Sequence, residues 1–151
     1  MTFDSLLNII DKKLSSGVSQ TEGLQYICQL LFDKVKHYDW VGYYLHNHKK
    51  KELVLNAYVG KPTNHTLIPF GKGICGQVAL SNENFIVDDV NLQDNYISCS
   101  LDVKSEIVIP LFVNKNNIGQ IDIDSNRLRA FSEKDATFLE EVNHLVSIHL
   151  F

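Results

Sequence analysis

With 151 residues, 44% of them hydrophobic and 21% charged, the chain is expected to form one domain, spanning 1–151, with a real core. A formal net charge of -4, with no basic patch interleaved with aromatics, argues against nucleic acid as the main partner. No apolar run reaches the roughly 20 residues of a membrane span, so no membrane partner is expected, and three cysteines without a dense framework read as reduced thiols of a cytoplasmic protein.

Phe3, Leu6, Leu7, Ile10 and Leu14 recur at helical spacing and predict a helix near 2–14, stopped by Ser15-Ser16-Gly17. Ser19 followed by Glu22 has the form of a capping box. It opens a second helix with Leu24, Ile27, Cys28, Leu31 and Val35 on one face, where Cys28 reads as a small core side chain. From Trp40 the period changes. Trp40–Leu45 and Glu52–Tyr58 are aromatic and β-branched enough for two strands joined by a polar loop. His46 and His48 have no third ligand near them in sequence, so no metal is expected there.

Residues 61–69 read as irregular. Gly71-Lys72-Gly73 makes a turn that delivers Cys75 into a short helix ending near Ser81. A strand from Asn84 to Val90 precedes a long loop, Asn91 to Ser105, in which Cys99 lies between Ser98 and Ser100. A structureless stretch of that length is more often functional than idle. Glu106–Val113 and Ile118–Asp124 form a hairpin around Asn114–Asn117, and Ser132 with Asp135 caps a final helix. The short connections favour an antiparallel sheet with helices on one face, an α+β fold.

Three acids stand out by alternation. Asp122 and Asp124 point away from Ile121 and Ile123, and Glu106 points away from Ile107 and Ile109. Spacing alone favours a solvated acidic face. The alternative is a pocket in which the carboxylates hold an ammonium group or keep a proton at raised pKa. No calcium-loop pattern accompanies them. Cys99, in a polar loop, suits a reactive thiol or is an idle loop cysteine. Cys75, where a helix starts, has its thiol pKa lowered by the helix N-terminus or is a small residue in a tight turn.

The strings WVGYYL, IPFGKGICGQVA, the Cys99 loop, SEIVIPLF and IGQIDIDS together resemble the GAF-domain family, and within it the free methionine-(R)-sulfoxide reductases, from about Trp40 to Phe131. The resemblance implies an antiparallel sheet of about six strands, with the N- and C-terminal helices packed on one face. It also implies a closed pocket for one free amino acid, no cofactor, and a homodimer packed through the helices. Cys99 matches the cysteine that attacks the sulfoxide and becomes a sulfenic acid, and Cys75 matches a second cysteine that can pair with it. Glu106, Asp122 and Asp124 match the carboxylates that hold the substrate amine and the sulfoxide oxygen. Trp40 and Tyr44 match aromatic walls against the S-methyl end. Thioredoxin or another thiol reductant would close the cycle. Two positions depart from the pattern: His65 stands where members with three cysteines carry their usual resolving thiol, and Ser100 stands where an acid usually follows Cys99. The rival reading is a non-catalytic GAF module that binds a small molecule or senses redox state.

Overall fold

The computed structural model describes residues 1–93 and 102–151, so Cys99, with Ser98 and Ser100, lies outside the described residues. Helices α1 (Phe3–Ser15) and α2 (Gln20–Lys34) are followed by strands β1 (Trp40–Asn47), β2 (Glu52–Val59) and β3 (Leu67–Pro69). Then come α3 (Gly73–Ser81), β4 (Phe85–Val87), a 3-10 turn at Val90–Leu92, β5 (Ser105–Val113), β6 (Asn116–Ser125) and α4 (Glu133–Leu150). The strands make a six-stranded antiparallel sheet in the order β3-β2-β1-β6-β5-β4. The α+β expectation holds.

The helices start where side-chain oxygens meet free backbone N–H groups. Thr2 accepts from Ser5, Ser19 from Glu22, and Ser132 with Asp135 forms a full capping box at α4. α1, α2 and α4 cover one sheet face, against Val41, Tyr43, Ile107, Ile109, Ile121 and Ile123, all essentially without solvent contact. Each such side chain contributes roughly 1.5–3 kcal/mol of apolar burial. Polar groups in this layer are satisfied. Tyr43 donates to Asn143 Oδ1 at 2.7 Å, and Asn143 Nδ2 donates to the carbonyls of Ile109 and Pro110 at 3.1 and 3.0 Å. β4 pairs only with Glu106–Val108, so Asn143 serves β5 beyond the end of its short neighbour.

Asp135 joins three elements. Its Oδ1 accepts from Tyr38 at 2.7 Å and faces His37 Nε2 at 3.0 Å, while Oδ2 accepts from the Ser132 backbone at 3.0 Å. Burial pushes this carboxyl up, but hydrogen bonds from His37, Ser132 and Tyr38 together bring it below its ordinary value. Asp135→Ala should therefore cost about 2–3 kcal/mol in chemical denaturation at neutral pH, combining a lost cap with orphaned partners. A depressed carboxyl stabilises above its unfolded pKa and loses that contribution as pH falls through the folded value. The gap between the parent and the variant should accordingly close in acid.

Three boundaries differ from the sequence reading. Residues 61–69 are not wholly irregular, since Leu67–Pro69 pairs with Glu52–Val54 as β3. The strand expected over 84–90 shortens to Phe85–Val87, because Asp89 accepts from the Asn91 backbone and opens the 3-10 turn. The last hairpin turns on two residues rather than four. Asn114 and Lys115 both take positive φ, +51° and +68°, which suits the twist of a tight hairpin and lets Val113 pair with Asn116.

Candidate active site

The second sheet face carries the chemistry. Register places Trp40 beside Asp124 and Asp124 beside Glu106, while Gly42 lies beside Asp122 and Asp122 beside Val108. Tyr44 and Gln120 form the next pair along. α3 packs over this face with Ile74, Cys75, Val78 and Ala79 buried. Its entry turn brings backbone unusually close to backbone: Gly71 N–H donates to the Gly76 carbonyl at 2.8 Å, and a Cβ on Gly76 would stand 2.7 Å from the Pro69 carbonyl oxygen. That turn holds Cys75 against the strands.

Cys75 Sγ donates toward Glu106 Oε2 at 3.8 Å, and the donor atoms of Cys75, Glu106 and Asp122 all lie within 4.8 Å of one another. Cys75 is 6% exposed, Glu106 5%, and Asp122 and Asp124 2% each. The solvated acidic face favoured by spacing is therefore overturned: α3 covers these acids. Tyr44 is fully buried and donates to the His65 carbonyl at 2.8 Å. Tyr44, His65, Ile68 and Ile74 close around the thiol and the acids, leaving a cavity of about 10 Å³, the measure of one water.

Burial pushes the Asp122 carboxyl up, and hydrogen bonds with Glu106 and Cys75 only partly offset this. Asp124 is pushed well up by burial and by the neighbouring Asp122 charge. Among the described residues no Lys or Arg forms an ion pair with Asp122 or Asp124. Asp122 Oδ1 is buried and has no hydrogen-bond partner among the described residues. The site thus retains protons that a cationic ligand could replace. Cys75 runs opposite to expectation. Burial and the charges of Asp122, Glu106 and Asp124 push its thiol well up, outweighing any effect of the helix N-terminus. It rests as a thiol.

A family model described as the GAF domain matches residues 19–150. The chain belongs to the GAF-domain family. It is 35% identical to GAF domain-containing protein A of Dictyostelium discoideum, over 95% of this chain and 89% of that one. It is 34% identical to the free methionine-R-sulfoxide reductase of Escherichia coli, over 75% of this chain and 67% of that one. The X-ray structure of free methionine-R-sulfoxide reductase from Neisseria meningitidis, in complex with its substrate, superposes with a TM-score of 0.92 at 33% identity, covering 97% of this chain and 87% of that one.

Of the site residues expected in this GAF domain, the structure brings Cys75, Tyr44, Glu106 and Asp122 around one cavity, with Asp124 beside Glu106 on the neighbouring strand. Trp40 lies next along the wall, stacked on Tyr58 at 5.6 Å and 6.5 Å from the Tyr44 ring. His46 and His48 stand edge to face at 5.3 Å, and burial together with His48 brings His46 down to about 4. Two contributors escaped the sequence reading. Gln120 is fully buried and donates to the Cys75 carbonyl at 3.1 Å, tying α3 to β6. Gly42 forms the floor under Trp40, because a Cβ there would lie 2.3 Å from the indole ring. An alternating strand interrupted by glycine between two aromatics was the available signal.

Gly42→Ala should displace the indole, whose Nε1 now donates to the Lys61 carbonyl at 3.1 Å. As Trp40 is the single tryptophan, its emission should shift to the red, and stability should fall by about 1–3 kcal/mol. Unchanged emission would place the ring elsewhere.

Proposed function

We propose that this GAF domain reduces free methionine-(R)-sulfoxide to methionine. The observation that carries the reading is a set of buried carboxyls, with no Lys or Arg partner among the described residues at Asp122 and Asp124, beside a thiol at a small cavity. A free amino acid brings the ammonium such a site lacks, whereas the nitrogen of a peptide-bound residue is uncharged. The relatives named above support this substrate. Trp40 and Tyr44 supply apolar walls for the S-methyl end.

In the proposed sequence the Cys99 thiolate attacks the sulfoxide sulfur, and a protonated carboxyl among Glu106, Asp122 and Asp124 gives its proton to the oxygen. The hydroxyl then passes to the Cys99 sulfur as the substrate's sulfur–oxygen bond and the new sulfur–sulfur bond both break, so methionine leaves reduced by two electrons and Cys99 carries the oxygen as a sulfenic acid. Cys75 then condenses with it, losing its proton to an adjacent carboxylate, to give a disulfide and water. A dithiol reductant such as thioredoxin restores both thiols. Because Cys75 rests protonated, the carboxylate beside it must take that proton before the sulfur attacks. His65 leaves the resolving role to Cys75 or to an external thiol. We place the enzyme in the cytoplasm as a homodimer packed through its helical face, a reading supported by Ile148 and Phe151, which stand exposed on and just beyond α4.

The test couples thioredoxin and its reductase to NADPH consumption, with the free R-epimer, the free S-epimer and the N-acetylated R-epimer as substrates. Turnover of the free R-epimer alone is expected. Equal turnover of the N-acetylated compound would remove the ammonium argument. A Cys75–Cys99 disulfide that forms with peroxide but never with sulfoxide would favour the redox-sensing module instead.

A further inference from the structure

We propose that Cys75, Glu106 and Asp122 form a binding site for a borderline divalent cation, zinc foremost. Their donor atoms lie within 4.8 Å of one another, and the Cys75 Sγ–Glu106 Oε2 separation is already 3.8 Å. Zinc bonds of about 2.0 Å to oxygen and 2.3 Å to sulfur put neighbouring donors about 3.5 Å apart, so a closure of roughly 1 Å suffices. Asp122, 2% exposed, has an Oδ1 without a hydrogen-bond partner among the described residues, which leaves its lone pairs open to a cation. The donors come from three elements: α3 carries Cys75, β5 carries Glu106 and β6 carries Asp122. None is free to drift, since Gln120 holds the Cys75 backbone and the two strands pair directly.

Ligand chemistry selects the ion. A thiolate is soft and carboxylates are hard, a mixture that suits zinc and cobalt better than magnesium or calcium. The cavity of about 10 Å³ offers the measure of one water, the usual fourth ligand of an open zinc site. Binding expels the Cys75 proton, and thiolate, two carboxylates and dication sum to a single negative charge. Asp124, hydrogen-bonded to Glu106, stands behind the set as an outer partner. The inference holds whether or not the chain turns over a sulfoxide. If it does, zinc inhibits by occupying the place of the ammonium, and a chelator restores the rate.

The experiment uses the reduced, metal-free full chain under nitrogen, with no sulfoxide present. Zinc is titrated in competition with a chromophoric chelator, and cobalt is added separately to look for a sulfur-to-cobalt charge-transfer band. One zinc per chain and a clear cobalt band are expected. Cys75→Ser should abolish the band, and Asp122→Asn should weaken zinc by more than the about 10–100-fold typical of an outer-shell change. A double variant, His46→Gln with His48→Gln, should bind as the parent does. A missing band in the parent, zinc kept in both Cys75→Ser and Asp122→Asn, or zinc lost in the histidine double variant would overturn the proposal. Because binding is read without substrate, failure here is separable from failure of the reductase reading.

Discussion

Cys99→Ser should abolish sulfoxide turnover, by at least about 10³-fold, while Cys75→Ser should leave the first turnover intact. The asymmetry follows from the two thiols' positions in the chemistry. Cys75 is 6% exposed and kept protonated by burial and by three acids, so it is poorly placed to begin an attack on sulfur. Cys99 is the remaining thiol of the expected pair, since Cys28 is buried in the helix-side core with Sγ 3.9 Å from the Ala57 carbonyl. Rapid quench with excess enzyme should yield one methionine per subunit from the parent and from Cys75→Ser. Steady-state turnover of Cys75→Ser with thioredoxin should drop, and a small external thiol should restore part of it. Full first-turnover activity in Cys99→Ser would move the attack to another residue.

Asp122→Asn should stabilise the empty protein at neutral pH while raising KM steeply. A carboxyl whose folded pKa lies above its unfolded value keeps protons in the folded state that the unfolded chain has already lost. Stability therefore declines as pH rises from the unfolded value, near 4, toward the raised folded one. Asparagine has nothing to titrate, so the variant should show a shallower decline and a gain of about 1–2 kcal/mol at neutral pH, in the range of substitutions that relieve a functional strain. Substrate binding has the opposite demand, since an ammonium is held by the ionised form. In the parent, KM should rise as pH falls through the raised carboxyl pKa, and in the variant that limb should flatten. Denaturant melts across pH, paired with KM at each pH, check both halves. A variant less stable than the parent at neutral pH would mean that Asp122 is already compensated in the empty site.

Much of this arrangement could be read from spacing. The apolar stripes of α1 and α2, the capping residues Ser19 and Ser132, and the alternation of Ile121 and Ile123 with Asp122 and Asp124 all reappear in three dimensions. Alternation reports which side chains share a face, but not what covers it, so α3's cover over the acids was invisible. β3 has three residues and a terminal proline, too few for any period to register. Gln120 acts through a contact with Cys75, distant in the chain, and carries no local signature, whereas Gly42 shows only as a glycine between two aromatics of an alternating strand.

The two-sided sheet has a consequence for how the chain finds its pairing. β5 and β6 carry an isoleucine core on one face and the acids on the other, separated by a single residue along each strand. A one-residue slip would drive Asp122 and Asp124 beneath α4 and turn Ile121 and Ile123 toward the cavity. Unpaired carboxylates under this largely apolar helical layer cost several kcal/mol each, so misaligned pairings are expelled early. The acids proposed to hold an ammonium thus also act as alignment marks for the hairpin, and neutral replacements at both aspartates would blunt that discrimination even where they stabilise the finished fold.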